Sequence, residues 1–328
     1  MISVKKIFNV KSDKEFNLAA LEIFKHQAYH NKVYKQFLEI NKTNIEKINS
    51  IKDIPFLPIG FFKTYKIITG DDAPQEIFYS SGTTQQIRSK HYITDPELYK
   101  TSFQKSFNLI YGNPANYCFL ALLPSYLEIK NSSLVYMMKN FIDKSKYNES
   151  GFYSNNYKEL YEKLIKIKQK KIPVILFGVS FALLEFCERY SIDIKEIIVM
   201  ETGGMKGQRE EITRGELHDI LMKTFNVNNI HSEYGMTELL SQAYSKGQGK
   251  FYTPPWMKIY IRDTFDPKSY VPLNKSGGIN IIDLANINSI SFIETQDIGK
   301  LNEDNSFEVL GRMNNAELRG CNLLFSDL

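Results

Sequence analysis

The N-terminal part of the chain carries a helical pattern of apolar positions. Ser12 and Glu15 form a capping-box pair, which marks the start of a helix. Apolar side chains then follow at helical spacing: Phe16, Ala20, Ile23, Phe24, Val33, Tyr34, Phe37 and Leu38. Two prolines interrupt the pattern shortly afterwards. The sequence therefore predicts helical structure from residue 12 to about residue 40, inside an N-terminal helical segment over residues 1–70.

The middle of the chain alternates short apolar runs with amphipathic stretches. The apolar runs are residues 118–123, 174–177 and 197–200, and each is followed by a turn that contains proline or glycine. Helical sequence lies between them, as in residues 181–190 and 208–225. Continuous apolar strands separated by helices indicate a parallel sheet that is covered on both faces. In such sheets the ligand binds beyond the carboxyl ends of the strands, where the glycine-rich and polar turns lie.

From residue 251 onward the pattern changes. Residues 278–284, 290–293 and 307–310 read as strands, and helical sequence is scarce. The whole pattern predicts an α/β fold with parallel-rich sheets covered by helices. We expect an α/β core over residues 71–250 and a smaller β-rich subdomain with a C-terminal tail over residues 251–328.

Composition narrows the class of protein. The formal net charge is only +4, from 41 basic and 37 acidic residues, which argues against a dedicated nucleic-acid-binding protein. No apolar run approaches the roughly 18 residues of a transmembrane segment, and we expect no signal peptide. Cys118, Cys187 and Cys321 are unclustered, so we expect no disulfide or zinc framework and a cytoplasmic location. Cys118 falls in a predicted strand and Cys187 in a predicted helix, so both read as structural.

The first segment with candidate chemistry is SSGTT, which follows a predicted strand. Its hydroxyls and backbone amides can donate hydrogen bonds to phosphate oxygens from five consecutive residues: Ser80, Ser81, Gly82, Thr83 and Thr84. Arg88 and Lys90 add positive charge. No Gly-Lys-Ser/Thr ends the segment, so it is not a Walker motif. On composition alone, a solvated turn is an equal alternative to a phosphate-binding loop.

The second segment is HSEYGMTEL. Thr237 and Glu238 can supply a hydroxyl and a carboxylate oxygen to magnesium, a hard cation that prefers oxygen ligands. Taken alone, the favoured interpretation is a helix N-terminus with Thr237 or Glu238 in its first turn.

The third segment is ETQDIGKL, followed by the pair Gly311 and Arg312. An aspartate at a strand-to-turn junction, here Asp297, can accept hydrogen bonds from both ribose hydroxyls. It can equally be a turn residue that bonds its own backbone.

The order SSGTT, YGMTE, TQDIG, GRM resembles the adenylate-forming superfamily, which includes acyl-CoA synthetases, luciferases and the adenylation domains of peptide synthetases. The resemblance extends from about residue 75 to the end and implies the N-terminal-domain fold of that superfamily. Two details depart from its pattern, because Asp297 precedes the glycine and Gln85 replaces the glycine that usually follows Thr84.

The resemblance also implies ligands and residue roles. ATP and Mg²⁺ are expected, with the phosphates on Ser80–Thr84 and with Thr237 and Glu238 holding phosphate and metal, Glu238 being the metal ligand. The remaining expected nucleotide contacts are Glu233 and Tyr234 flanking the adenine with Gly235 beside them, and Asp297 and Arg312 at the ribose.

A closer resemblance is to the acyl-protein synthetases of bacterial luminescence, the LuxE family. It rests on the stretches SSGTTQQIRSKHYI, LLPSYLEIKNSSLVYMM, ETGGMKGQREEI, HSEYGMTEL and ELRGCNLLF. The family activates a fatty acid with ATP as an acyl-adenylate. It then takes the acyl group onto a cysteine near its own C-terminus and passes it to a reductase partner.

Cys321 in Arg-Gly-Cys-Asn matches that cysteine in position and context. Acyl transfer needs an accessible thiol with a lowered pKa, and Arg319 could lower it. A structural free cysteine is the alternative. Most adenylating enzymes carry a lid with a catalytic lysine after the Gly-Arg pair, whereas this sequence ends soon after Arg312. Lys206 is our candidate to replace that lysine, and Lys90 is a second one, although either can be an ordinary surface lysine.

Three functions are therefore open at the level of sequence. The first is activation of a fatty acid as acyl-adenylate, followed by transfer to Cys321 and then to an acceptor protein such as a reductase. The second is an acyl-CoA or other acyl ligase with a small molecule or a carrier protein as acceptor. The third is a non-catalytic module that binds nucleotide or acyl groups.

Overall fold

A computed structural model of the chain describes residues 3–81, 87–124, 126, 131–203 and 212–313. The helices within these residues are α1 (Val4–Ile7), α2 (Asp13–His30), α3 (Lys32–Ile40), α4 (Phe61–Thr64), α5 (Pro96–Tyr111), α6 (Ser133–Lys144), α7 (Tyr157–Lys170), α8 (Ser180–Arg189) and α9 (Arg214–Phe225). The strands are β1 (Leu57–Pro58), β2 (Glu76–Tyr79), β3 (Lys90–Ile93), β4 (Cys118–Leu122), β5 (Gly151–Tyr153), β6 (Val174–Val179), β7 (Ile198–Thr202), β8 (His231–Tyr234), β9 (Ala243–Ser245), β10 (Met257–Arg262), β11 (Ser276–Asp283), β12 (Phe292–Leu301) and β13 (Phe307–Arg312).

The predicted N-terminal helix is present as two helices, α2 and α3. Ser12 caps α2 by accepting a hydrogen bond from the Glu15 amide at 3.3 Å. The break falls at Asn31, whose backbone is extended and whose side-chain oxygen accepts from the Tyr34 amide at 3.0 Å, which starts α3. Asn31 also donates to the Ser289 carbonyl at 2.9 Å. A tertiary hydrogen bond therefore accompanies the interruption of an otherwise continuous helical pattern.

A six-stranded sheet forms the centre of the described chain, in the order β5-β4-β6-β7-β8-β9. The strands from β5 to β8 are parallel, and β9 is antiparallel to β8. The three apolar runs of the sequence are β4, β6 and β7, and every residue of β4 and β6 is buried. The prediction of an α/β fold with a parallel, helix-covered sheet is confirmed.

A second sheet has the order β1-β12-β11-β10, and β13 pairs with β12. Its strands β10 to β13 are antiparallel, whereas β1, from the N-terminal part of the chain, pairs in parallel with β12. The strands β2 and β3 form a separate antiparallel hairpin. The boundaries at residues 70 and 250 stay predictions, and the pairing of β1 with β12 crosses both of them.

Asp283, at the end of β11, joins the two sheets. It is fully buried and accepts hydrogen bonds from the backbone amides of Leu240 and Ser241, each at 3.0 Å, and from the Ser241 hydroxyl at 2.6 Å. Hydrogen bonds to a charged group contribute about 1.5–3 kcal/mol each. The segment that follows the second sequence motif is therefore anchored to the second sheet. No helix in the described part of the chain is long and apolar enough to cross a membrane.

Candidate nucleotide-binding site

The Ser/Thr-rich segment is the connection of the β2–β3 hairpin. The strands end where the Ser80 amide donates to the Ser89 carbonyl at 3.1 Å and the Ser89 amide donates to the Ser80 hydroxyl at 2.9 Å. The Ser81 hydroxyl lies 3.1 Å from the Tyr126 hydroxyl. Gly82, Thr83 and Thr84 lie outside the described residues. The hydrogen bonds between Ser80 and Ser89 fix the two ends of the segment that is predicted to bind phosphate.

The charged side chains near this hairpin differ in exposure. Arg88 is half-buried, whereas Lys90, the first residue of β3, is exposed. Lys206 and Cys321 lie outside the described residues, so their predicted roles stay predictions.

The second motif leaves β8 as a turn and not as a helix, so the interpretation of Thr237 and Glu238 as a helix N-terminus is wrong. The Leu239 amide closes the turn on the Met236 carbonyl at 3.1 Å. The next two backbone amides bond Asp283 instead of continuing a helical ladder. The buried Asp283 carboxylate of the other sheet thus accepts the hydrogen bonds that these amides would donate within a helix.

Gly235 allows this turn to begin. A Cβ at this position would lie 2.3 Å from the Glu233 Oε1 atom, closer than real Cβ contacts occur. Glu233 is buried and accepts a hydrogen bond from the Thr202 hydroxyl on β7. A larger residue at position 235 would therefore have to displace the end of the Glu233 side chain.

Glu238 is a buried carboxylate with incomplete compensation. Burial raises the pKa of Glu238, while a hydrogen bond with the Ser89 side chain, a hydrogen bond with its own backbone amide and the charge of Arg312 act in the opposite direction. The net pKa of Glu238 is raised. A further positive charge beside this carboxylate would stabilise its ionised form.

Asp297 lies in the middle of β12, so its predicted position at a strand-to-turn junction, or in a turn, is wrong. The strand continues past Gly299, where a Cβ would meet the Glu308 carbonyl oxygen of β13 at 2.4 Å. The glycine that follows Asp297 therefore permits close strand pairing at a register shift between Ile298 and Gly299, and it does not form a turn.

Asp297 connects the second and third motifs. The Tyr234 hydroxyl donates to Asp297 Oδ2 at 2.8 Å, and Arg312 Nε donates to Asp297 Oδ1 at 3.2 Å. Burial and the neighbouring Asp297 carboxylate raise the pKa of Tyr234, so its hydroxyl stays protonated and remains a donor. The Asp297 side chain is nearly buried, whereas the Arg312 side chain is 77% exposed and can reach a ligand from the open side.

A second buried carboxylate, Glu201 at the end of β7, was missed by sequence analysis. The Ser180 hydroxyl donates to it at 3.0 Å, Arg214 Nε lies 3.2 Å away, and His218 Nε2 lies 3.5 Å away. Arg214 also donates to the Val309 carbonyl of β13 at 2.9 Å, which ties the first sheet to the second. The ETGG stretch was the only signal in the sequence, and it does not reveal the partners.

The two described cysteines are not candidates for the acyl-transfer thiol. Burial raises the pKa of Cys118 in β4, and burial raises the pKa of Cys187 in α8 to about 12. Neither thiol therefore ionises readily near neutral pH, as a nucleophilic cysteine requires.

Metal binding would have to rely on one protein carboxylate. Within the described ranges, no group of three or more His, Cys, Asp or Glu side chains could hold a metal ion. Magnesium is usually held by one or two carboxylates together with substrate phosphates and waters. Glu238 fits that requirement, because it is an undercompensated carboxylate beside the predicted phosphate loop.

Comparison with known proteins identifies the family. The family described as "Acyl-protein synthetase, LuxE" matches residues 7–328. The chain belongs to this family. Two relatives, the long-chain-fatty-acid–luciferin-component ligases of Aliivibrio fischeri and Vibrio harveyi, are 24% and 22% identical to it. The alignments cover 94% and 92% of this chain and 86% and 85% of the relatives.

Solved structures resemble this acyl-protein synthetase in fold. An open conformation of 2-hydroxyisobutyryl-CoA ligase in complex with 2-HIB-AMP and CoA has a TM-score of 0.66 at 9% identity, covering 92% of this chain and 70% of that one. O-succinylbenzoate coenzyme A synthetase from Bacillus subtilis, in complex with ATP and magnesium, has a TM-score of 0.52 at 18% identity. The match to that synthetase covers 74% of this chain and 50% of the synthetase, so the chain spans about half its length. The predicted family, the predicted adenylate-forming fold and the prediction of an acid-activating ligase are confirmed.

Proposed function

We propose that the chain activates a fatty acid with ATP to give an acyl-adenylate and pyrophosphate, and that the acyl group then passes to Cys321 as a thioester. The fatty acid is supported by the names of both relatives, which are long-chain-fatty-acid ligases. ATP is supported by a structure of the same fold that contains ATP and magnesium.

The observation that carries the proposal is the convergence of three distant sequence motifs on one place. The Glu238 carboxylate is hydrogen-bonded to Ser89 of the hairpin and interacts with the charges of Asp297 and Arg312. The Tyr234 hydroxyl links the second motif to Asp297. The described end of the hairpin, the Glu238 carboxylate and the pair Asp297 and Arg312 are thus neighbours, which supports a site for phosphates, a cation and a ribose.

The proposed roles follow from these positions. The hairpin connection from Ser80 to Thr84 binds the phosphates, with Arg88 and Lys90 adding positive charge. Thr237 and Glu238 hold phosphate and Mg²⁺, which would neutralise charge on the phosphate oxygens. Glu233, Tyr234 and Gly235 line the adenine side, and Asp297 and Arg312 orient the ribose.

The chemistry proceeds in two displacements. A carboxylate oxygen of the fatty acid forms a bond to the α-phosphorus, and the bond from that phosphorus to pyrophosphate breaks. The Cys321 thiol then loses its proton to solvent. The resulting thiolate forms a bond to the acyl carbon, and the bond from that carbon to the phosphate oxygen of AMP breaks. Residues of the site contribute by orienting the reactants and stabilising charge. Lys206 is proposed to stabilise charge on the reacting acid or phosphate.

Labelling with fatty acid tests the proposal. The protein is incubated with labelled fatty acid and ATP, and hydroxylamine-sensitive label on the protein is measured beside ATP–pyrophosphate exchange. We expect label on the wild type, none on Cys321→Ser, and normal label on Cys187→Ser as the matched control. Pyrophosphate exchange without protein label indicates a small acceptor such as coenzyme A. Absence of both signals indicates a binding module and refutes the proposal.

The acceptor and the location remain part of the proposal. A reductase is the expected final acceptor, and the cytoplasm is the expected compartment. Mixing the acylated protein with a fatty-acid reductase and following transfer of the label would test the first of these.

A further inference from the structure

Two buried side chains hold successive backbone carbonyls of the second motif. His91 Nδ1 lies 2.7 Å from the Thr237 carbonyl oxygen. The Asn286 side-chain amide donates to the Glu238 carbonyl oxygen at 2.7 Å. Both side chains are essentially inaccessible to solvent, at 1% and 0% exposure. We call this pair of residues the brace.

Both brace residues line one small cavity, and each has a second polar atom that is buried. His91 Nε2 and Asn286 Oδ1 are both buried and have no hydrogen-bond partner in the part of the chain that the structure describes. Both side chains line a cavity of about 10 Å³, together with polar residues that include Thr94 and Ser289. Buried polar atoms are almost always hydrogen-bonded, so two such atoms on one cavity indicate a bound ligand.

The donors and acceptors specify that ligand. A carbonyl oxygen can only accept, so His91 Nδ1 carries the proton of the neutral imidazole. His91 Nε2 is then an acceptor. Asn286 donates to Glu238 through its nitrogen, which leaves its oxygen as a second acceptor. A water molecule can donate one hydrogen to each, and about 10 Å³ is close to the space that one water needs.

The position of the brace connects it to the nucleotide site. His91 belongs to β3, the strand that leaves the SSGTT hairpin. Asn286 belongs to the short 3-10 helix Leu284–Asn286, in the connection from β11 to β12, the strand that carries Asp297. The brace therefore links the first and third motifs to the backbone of Thr237 and Glu238 in the second.

We propose that His91 and Asn286, with one water molecule bound between them, are positioning residues that hold the Thr237–Glu238 turn where nucleotide activation needs it. This inference rests on the proposed function. The hydrogen bonds from the two residues to the turn end on backbone carbonyl oxygens, so they act on the reaction through Thr237 and Glu238 and not on the substrate itself.

Two substitutions of His91 separate positioning from general packing. Asn places its amide nitrogen near the position of Nδ1, so His91→Asn keeps the donor to Thr237. Gln places its nitrogen near Nε2, so His91→Gln loses that donor. We expect His91→Asn to retain pyrophosphate exchange within about threefold, and His91→Gln to lower its kcat by roughly tenfold or more, since a buried carbonyl is left unpaired.

The same assay includes a second position and a control. Asn286→Ser removes the donor to Glu238 and should lower exchange by a similar factor; it also serves if His91→Gln does not fold. Ser106→Ala, which removes a buried hydroxyl of α5 with no hydrogen-bond partner among the described residues, should leave exchange unchanged. Thermal unfolding midpoints are measured for all variants, so that a loss of exchange is compared only among folded proteins.

The tautomer of His91 gives a readout that does not depend on activity. A long-range ¹H–¹⁵N spectrum, assigned with His91→Asn, should show His91 protonated at Nδ1 and unprotonated at Nε2 at neutral pH. The opposite tautomer, or full exchange activity in both His91→Gln and Asn286→Ser, would refute the positioning role of the brace and leave the proposed function intact. A wild type that neither exchanges pyrophosphate nor binds ATP would overturn the proposed function and the brace with it.

Discussion

Glu201 and Glu238 are two buried glutamates beside the same sheet, and they are compensated differently. Their exposed fractions are 1% and 5%. Burial raises the pKa of Glu201, but the hydrogen bond with His218 and the charge of Arg214 outweigh it, so the pKa is lowered. At Glu238 the hydrogen bond with Ser89 and the charge of Arg312 do not outweigh burial, and the pKa is raised.

The opposite pKa shifts indicate that the charge of Glu201 is structural, whereas the charge of Glu238 is available to bind a cation. Glu201 has its counter-charge from α9, and Arg214 continues to β13, so this carboxylate stabilises the contact between the sheets. Glu238 is hydrogen-bonded to Ser89 of the β2–β3 hairpin, and the charge of Arg312 does not outweigh its burial. An ionised carboxylate buried in this way costs stability unless a cation joins it. The surroundings of Glu238 are therefore suited to binding a cation, whereas those of Glu201 stabilise the folded protein.

The largest expected effect is a loss of stability when Glu201, the glutamate with the lowered pKa, loses Arg214. Arg214→Met leaves Glu201 buried without its cation, so the free energy of unfolding should fall by about 3 kcal/mol, at the low end for a broken buried pair because Arg214 is 25% exposed. Urea unfolding followed by circular dichroism measures this. Arg189→Met breaks the more exposed pair with Glu185 and should cost less than about 0.5 kcal/mol. Equal losses for both variants would contradict the comparison.

The next effect is catalytic. Glu238→Gln keeps the shape of the side chain but removes the charge proposed to hold Mg²⁺, so kcat for pyrophosphate exchange should fall roughly a hundredfold or more. In the absence of ATP and magnesium the same variant should unfold at a higher temperature than the wild type, since an undercompensated charge is removed. Loss of exchange together with lower stability would indicate a structural role instead.

The pH dependence of stability should have opposite signs at the two glutamates. The folded pKa of Glu201 is lowered from 4.5, so its stabilisation is present above 4.5 and is lost as the pH falls through the folded pKa. The folded pKa of Glu238 is raised from 4.5, so its protonated form stabilises below 4.5, and this is lost as the pH rises through the folded pKa. Glu201→Gln should thus destabilise and Glu238→Gln stabilise at neutral pH, and both differences should shrink in acid. Unfolding titrations at several pH values check this, and differences independent of pH would argue against it.

The smallest expected effect concerns the hydrogen bond between Tyr234 and Asp297, the residue proposed to orient the ribose. Tyr234→Phe removes the hydroxyl that bonds Asp297, and we expect the KM for ATP to rise by roughly tenfold, because a hydrogen bond to a charged group is lost. Tyr252→Phe removes an exposed hydroxyl that bonds Asp304 and serves as the control. An unchanged KM in Tyr234→Phe would mean that Asp297 does not need Tyr234 to be placed for nucleotide binding.

Elements that follow from local pattern were predictable from the sequence. The apolar runs predicted β4, β6 and β7, because strands buried on both faces are apolar at every position. The pair Ser12 and Glu15 predicted the start of α2, because capping depends on residues three apart. The order of the motifs predicted the family, and in the structure Glu238 is hydrogen-bonded to Ser89 while Arg312 donates to Asp297.

Other features required the tertiary structure, because they depend on residues far apart in the chain. The turn at Thr237 does not continue as a helix because the amides of Leu240 and Ser241 donate to Asp283. Asp297 lies within a strand because β12 continues through Gly299 against β13. The partner of Glu201 is Arg214, which lies in α9 and is 13 residues further along the chain. The sequence by itself determined which residue types are present, in which order and in which local elements. Only the fold decided at which of the two buried glutamates the neighbouring groups outweigh burial, since the energy of a buried charge is set by neighbours that the linear sequence does not place.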